Sequence, residues 1–233
     1  MRILVFQHIA VEHPGSLRGL MAADGIAWDT VALYQGAAIP PLDGYAALLV
    51  MGGPMDVWEE DLHPWLAAEK AVIRTWVAAG RPFLGVCLGH QLLAAALGGR
   101  VGLMPAPEVG VGEVALGDPS DALFEGLASP LACLQWHGAE VLEPPPGAVV
   151  TAGNAACRVQ AMRVGAAAWG IQFHVEVTPQ TVAEWSSIAE YGASLRRVLG
   201  EGGQARLEAE AAARMAGFTA AAATMWANFR RLL

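Results

Sequence analysis

Gly85-Val86-Cys87-Leu88-Gly89-His90-Gln91 is the stretch of this sequence best suited to chemistry. A cysteine with glycines at −2 and +2, between an apolar run and a helical pattern, has the form of a nucleophile elbow. In such a sharp strand-to-helix turn, side chains at −2 and +2 would clash, and glycine avoids this. The turn would hold the thiol above the C-terminal edge of a sheet, where ligands bind in open α/β folds. The free N–H groups of the following helix, beginning with Leu88, would face the sulfur. They are expected to lower the thiol pKa and to stabilise an oxyanion formed on an attacked carbonyl. Taken alone, the pattern equally describes a buried cysteine in a tight turn, so its partners decide.

Gly170-Ile171-Gln172-Phe173-His174-Val175-Glu176 supplies those partners. An apolar strand ends in His-x-Glu, and residues i and i+2 of extended chain project to the same side. Glu176 can then sit beside His174, fix its tautomer and support its positive charge. Cys87, His174 and Glu176 would form a triad of thiol, base and orienting carboxylate. Two other segments follow apolar runs. The glycines of Met51-Gly52-Gly53-Pro54 let a backbone N–H approach a ligand, which would give a second oxyanion donor; an ordinary turn has the same residues. Gln135-Trp136-His137-Gly138 places an aromatic ring and a histidine where they could line a pocket, or simply pack and meet solvent.

These residues need a sheet to hold them, and the sequence alternates strand and helix patterns. Strands are expected at Arg2–Gln7, Trp28–Leu33, Tyr45–Met51 and Pro82–Val86. Helices are expected at Ser16–Asp24, Pro64–Ala79 and Leu88–Leu97, each ended by glycine. In the second helix Trp65, Ala68, Val72 and Trp76 have the spacing of a buried stripe. The second half reads as strand-rich, with Val111–Leu116, Leu131–Trp136, Val149–Thr151, Arg158–Met162 and Ala167–Phe173. Pro179–Ser187 and roughly Gln204–Arg231 return to helix. Near-continuous apolar strands imply a parallel sheet covered on both faces. The expected fold is α/β: a flavodoxin-like open, mostly parallel sheet with helices on both faces and a β-rich insertion in the second half.

Four motifs, in order, resemble the class I glutamine amidotransferases of the triad type: Gly52-Gly53-Pro54, Gly85 to Gln91, Trp136-His137-Gly138 and Gln172-Phe173-His174-Val175-Glu176. Within that family the resemblance is to freestanding glutaminase parts of GMP synthase, over about residues 1–190. It implies that Cys87 attacks the glutamine side-chain amide to form a γ-glutamyl thioester. His174 would take the thiol proton and protonate leaving ammonia, and Glu176 would orient His174. Gly53 and Leu88 N–H groups would make the oxyanion hole. Gly52, Gln91, Trp136, His137 and Gly138 would hold the substrate. Water would then release glutamate. The sequence departs from many relatives at two points: Val175 stands where they carry proline, and Ala139-Glu140 follows Gly138 where they carry aspartate two residues after the histidine. The second departure motivates an alternative, hydrolysis of γ-glutamyl peptides or γ-glutamyl amines by the same triad. A catalytically idle binding protein is the third reading.

Composition sets the outer limits. The 233 residues carry 14 basic and 22 acidic side chains, for a net charge of −8. Such a chain repels phosphate backbones, so nucleic acid is not an expected partner. Apolar runs are too short and too interrupted for a membrane span or signal segment, which points to the cytoplasm and no membrane. Cys133 and Cys157 lie in apolar stretches and read as small buried hydrophobes. No Cys/His spacing suggests a metal site, and no phosphate-binding glycine loop suggests a nucleotide, so no cofactor is expected. His90 reads as structural. His8, Glu12 and His13 follow the first strand and fall on the same sheet edge as Cys87, bordering the pocket or lying in a solvated loop; His63 reads as surface. The whole chain, 1–233, is expected to form a single amidotransferase-like domain, with the helix at about 204–231 packed on the sheet. Its partners would be glutamine or a γ-glutamyl small molecule, with a separate synthase subunit or a second copy of the chain as protein partners.

Overall fold

The computed structural model describes residues 1–118 and 120–233. Its strands are β1 (Arg2–Gln7), β2 (Ala27–Ala32), β3 (Ala47–Val50), β4 (Phe83–Val86), β5 (Arg100–Leu116), β6 (Leu131–Glu143), β7 (Ala148–Gly153), β8 (Ala161–Val164) and β9 (Ala168–Ile171). Its α-helices are α1 (Leu17–Ala23), α2 (Trp65–Ala78), α3 (Leu88–Ala96), α4 (Thr181–Ser186), α5 (Ala189–Leu199) and α6 (Gly203–Arg230). The strands form one sheet in the order β2-β1-β3-β4-β9-β8-β7-β5-β6. The half from β2 to β9 is parallel, and the half from β9 to β6 is antiparallel. This is the α/β architecture with a β-rich second half.

Alternation along β1 explains the two-sided burial. Ile3 and Val5 face a layer containing Leu17 and Met21 of α1 and Met225, Trp226 and Phe229 of α6. Leu4 and Phe6 face the opposite layer, with Leu66, Ile73 and Trp76 of α2 and Leu92 of α3. Both faces bury apolar side chains, so the strand reads as a continuous hydrophobic run. The C-terminal half of α6 therefore does cover the sheet.

Five features differ from the sequence reading. β5 begins at Arg100 rather than near Val111, because Pro105, Pro107 and an irregular register between Leu103 and Glu108 mask its first half. β6 runs on to Glu143, and β8 begins at Ala161 rather than Arg158. Helix α5 has no counterpart in the sequence reading, although Tyr191 and Leu195 are buried four residues apart on it. The buried stripe of α2 is Leu66, Glu69, Ile73 and Trp76, not Trp65, Ala68, Val72 and Trp76. The cause of this last shift is chemical: Glu69 is fully buried and receives a hydrogen bond from His8 Nε2 at 2.9 Å.

His8 also donates from Nδ1 to the Gly52 carbonyl at 2.9 Å. Burial pulls the His8 pKa down, but Glu69 and the Gly52 carbonyl raise it above its ordinary value. Glu69→Ala should therefore destabilise the fold by about 3–5 kcal/mol, because it strands a buried cation. Since the folded pKa of His8 exceeds its unfolded value of about 6.5, this contribution is complete below that pH and fades as pH rises through the folded value. Urea midpoints of the two proteins at acid and alkaline pH should show a deficit that shrinks on the alkaline side. An equal deficit at every pH would contradict the pairing.

Candidate active site

Strand β4 ends at Val86, and Cys87 stands alone between it and the first turn of α3. Among the described residues Cys87 is the only non-glycine with positive φ (φ 53°, ψ −105°). Such a conformation costs about 1–3 kcal/mol and persists where its surroundings hold it. Here the Cys87 N–H donates to the Ile171 carbonyl at 2.8 Å, and its carbonyl accepts from His90 N at 3.0 Å. The flanking glycines fit for the steric reason expected. A Cβ on Gly85 would lie 2.4 Å from the Gly89 carbonyl oxygen, and one on Gly89 would lie 2.1 Å from the Val50 carbonyl oxygen. Helix α3 leaves its first N–H groups unused by the helix, and the Leu88 N–H faces the Cys87 sulfur.

His174 lies three residues beyond the end of β9 rather than on it. It is held by a bridge to β6, with Leu134 and His174 exchanging backbone hydrogen bonds of 2.9 Å. Its Nδ1 donates to Glu176 Oε1 at 2.7 Å, and the second oxygen of Glu176 accepts from Val175 N at 3.0 Å. Among the described residues the buried Nε2 has no hydrogen-bond partner. The ring and the Cys87 thiol are near enough to perturb each other's titration. Trp185 packs edge-on against the His174 ring, with centroids 4.6 Å apart.

The electrostatics correct one expectation. Burial pushes the Cys87 thiol pKa up, against the pull of His174 and the Leu88 N–H, so the net shift is upward. The helix terminus does not outweigh desolvation in the closed site. For His174, burial acts downward but is overcome by Glu176 and Cys87, which hold it well above 6.5. The arrangement can deliver a thiol proton to an imidazole whose positive charge is already supported. The other two thiols have no imidazole pulling against burial: Cys133 is pushed up strongly, and Cys157 is pushed up to about 12.

A cavity of about 190 Å³ opens over Cys87. Gly53, Gln91, Trp136, His137 and Gly138 line it, so the structure brings these residues together with the thiol. Gly52 sits just beneath, its carbonyl held by His8. The Gln91 amide N–H groups are engaged by the Ala139 carbonyl (3.1 Å) and Gln172 Oε1 (3.0 Å), so this side chain braces the wall. His137 is braced as well, by the Ala139 carbonyl at 3.0 Å, Gln135 Oε1 at 3.1 Å and Glu108 at 3.2 Å. Ala139 lines the cavity, whereas Glu140 does not and lies by Cys157. His90 is buried against the Val159 carbonyl, and burial lowers its pKa to about 4.

Sequence reasoning missed Met55, Asp56, Leu103, Glu190, Tyr191, Ser194 and Arg197, which complete the lining. Three of these four α5 positions follow one face, and the spacing of Ile188, Tyr191, Leu195 and Leu199 was the available signal. His8 and Glu12 are buried at the site rather than solvated. Among the described residues, no group of three or more His, Cys, Asp or Glu side chains could hold a metal ion. Nor is any helix there long and apolar enough to cross a membrane.

Comparison with known proteins gives the chain a family. The family model for class-I glutamine amidotransferases matches residues 25–184. The glutamine-hydrolysing GMP synthase subunit of Sulfurisphaera tokodaii is 38% identical over 58% of this chain and 70% of its own length. Glutamine amidotransferase-like protein YfeJ of Salmonella typhimurium is 32% identical over 78% of each chain. The crystal structure of a glutamine amidotransferase from Methylobacillus flagellatus superposes with a TM-score of 0.89 at 28% identity, covering 100% of this chain and 95% of that one. By class the protein is a cysteine-dependent amidohydrolase. It belongs to the class-I glutamine amidotransferases.

Proposed function

We propose that this enzyme hydrolyses the side-chain amide of glutamine through a γ-glutamyl thioester on Cys87. The observation that carries the reading is the strained Cys87 beside a His174 ring whose Nδ1 is fixed by Glu176 at 2.7 Å. His174 takes the thiol proton as sulfur attacks the amide carbon. The N–H groups of Gly53 and Leu88 hold the oxyanion, and Gly52 backs that turn. His174 returns the proton to the leaving nitrogen, so ammonia departs and the thioester remains. Water, deprotonated by His174, then attacks the thioester, and glutamate leaves as Cys87 recovers its proton. Trp136, His137, Gly138 and Gln91 form the wall against which the substrate lies. Residues 1–233 act as one catalytic domain. A cytoplasmic setting suits its three free cysteines. The relatives named as GMP synthase subunits support delivery of ammonia to a separate synthase protein.

A second reading has its own observation. Ala139 stands at the cavity wall and Glu140 lies by Cys157, so this segment offers no carboxylate to a substrate amine. The acids at the cavity are Asp56 and Glu190, with Arg197 beside them. This altered lining is the ground for a γ-glutamyl peptide or amine as the substrate. Incubation with glutamine and with γ-glutamyl peptides, followed by assay of ammonia, glutamate and amine, separates the two. Turnover of neither, with or without a candidate synthase, would sink both.

The triad also sets a pH dependence. Glu176 overcomes burial to keep the His174 pKa above 6.5, so the acid limb of kcat/KM should lie above that pH. Glu176→Gln removes the charge and leaves the burial, so the limb should move to lower pH while kcat falls about 10²–10⁴-fold. A limb that stays in place would exclude Glu176 as the orienting group.

A further inference from the structure

The loop after β1 carries a buried acid that the triad does not use. Glu12 is 2% exposed and accepts a hydrogen bond from the Tyr191 hydroxyl of α5 at 2.7 Å. Its other oxygen rests against Gly52, where a Cβ would lie 2.6 Å from it. The Gly52 carbonyl is gripped from the far side by His8 at 2.9 Å. A peptide plane held at its carbonyl and at its Cα has little freedom, so its Gly53 N–H is aimed by the same contacts. The loop is also tied to α4 and to the segment after β9. Trp185 Nε1 donates to the Val11 carbonyl at 3.2 Å, and Ser16 N donates to the Glu176 carbonyl at 2.6 Å.

Burial raises the Glu12 pKa, while His174, the Tyr191 hydroxyl and His8 pull back toward the ionised carboxylate. The charged and titratable groups facing it are His8 just after β1, Cys87 from the elbow, His174 and Glu176 from the segment after β9, and Tyr191 from α5. Two are bases that a nearby negative charge would favour in protonated form.

We propose that Glu12 is a positioning residue for the reaction: it fastens the α5 wall of the cavity to the Gly52–Gly53 turn and supplies a second negative charge beside the Cys87–His174 pair. This rests on the triad reading and adds a residue outside it. In this scheme α5 and the oxyanion turn move as one body, so the wall that recognises the substrate and the N–H that stabilises its oxyanion stay in register.

The test compares the intact enzyme with Glu12→Gln, Tyr191→Phe and the double variant, on whichever amide the substrate panel shows to be turned over. Glu12→Gln keeps volume and an acceptor for Tyr191 but removes the charge. It should lower kcat about 10–100-fold, the scale of a small misplacement, with KM nearly unchanged. It should also move the acid limb of kcat/KM to lower pH. Tyr191→Phe should lower kcat while leaving that limb in place, and the double variant should lose less than the two single losses multiplied together. A wild-type kcat and pH profile in Glu12→Gln would overturn the proposal, as would a loss of kcat with an unmoved limb, which marks a packing role alone. Should Glu12→Gln not fold, a wild-type kcat in Tyr191→Phe overturns it equally. Labelling of Cys87 by a diazoketone analogue of glutamine separates this failure from failure of the triad reading. Glu12→Gln should still be labelled at one site per chain. Labelling that survives Cys87→Ala would instead remove the triad on which the proposal stands.

Discussion

Cys87→Ala should abolish turnover, with a loss of at least about 10⁴-fold and no restoration at alkaline pH. The expectation follows from what a thiol does that no neighbour can replace. Cys87 is the group placed at the cavity, at the helix terminus and beside His174. Cys133 and Cys157 do not line the cavity, and burial raises their thiols with no imidazole to pull against it, so neither can substitute. The fold should survive, because alanine fills part of the same buried space and keeps the backbone bonds, its N–H donating to the Ile171 carbonyl and its carbonyl accepting from His90 N. Mass spectrometry after treatment with the diazoketone analogue should show one adduct in the wild type and none in the variant. Full labelling of the variant would place the nucleophile elsewhere.

Gly15→Ala should also cost much of the activity, although position 15 is far from the elbow in sequence. Gly15 has φ +49°, and a Cβ there would lie 1.8 Å from the Glu176 carbonyl oxygen and 3.3 Å from its Cγ. No rotamer change relieves a clash with backbone, so either the 9–16 loop or the His174–Glu176 segment must move. Either motion breaks the 2.6 Å bond from Ser16 N to the Glu176 carbonyl and turns the carboxylate away from His174. kcat should fall about 10²–10³-fold, on the scale of losing correct orientation of a catalytic group. Gly25→Ala is the control. Gly25 has φ +66° but nothing within 4 Å of an added Cβ, so it carries the conformational cost of about 1–2 kcal/mol without the collision. Its stability should drop and its kcat should hold. Equal kcat values for the two variants, measured where both remain folded, would show that the contact between Gly15 and Glu176 does not matter for catalysis.

Helix α5 shows where sequence reasoning stops. Its apolar spacing was present, but Ser186 and Ser187 before it and Gly192 within it break the pattern, and nothing in it resembles a chemical motif. Only packing brings Tyr191, Ser194 and Arg197 to a cavity whose floor is Cys87. Glu69 is a different failure, and for Glu12 the sequence left a pocket border and a solvated loop open. A lone acid on an amphipathic pattern is normally placed in solvent, and burial is legible only once the partner is known. Their partners, His8 and Tyr191, lie 61 and 179 residues away.

The elbow, the proposed triad and most of the α/β order of elements can be read in the unfolded chain. Each rests on spacing within a few residues: glycines two positions either side of Cys87, a carboxylate two positions after His174, apolar runs of strand length. Short-range sterics and periodicity are properties of the chain before it folds, so they can be read there. The protonation and the shape of the site came from folding. Desolvation raised the thiol that the helix terminus was expected to lower, and the charge of Glu176 overcame burial at His174. The helix that walls the cavity and the acid that ties it to the oxyanion turn depend on contacts between distant segments. Burial and long-range charge are sums over neighbours, and those neighbours exist only in the folded molecule.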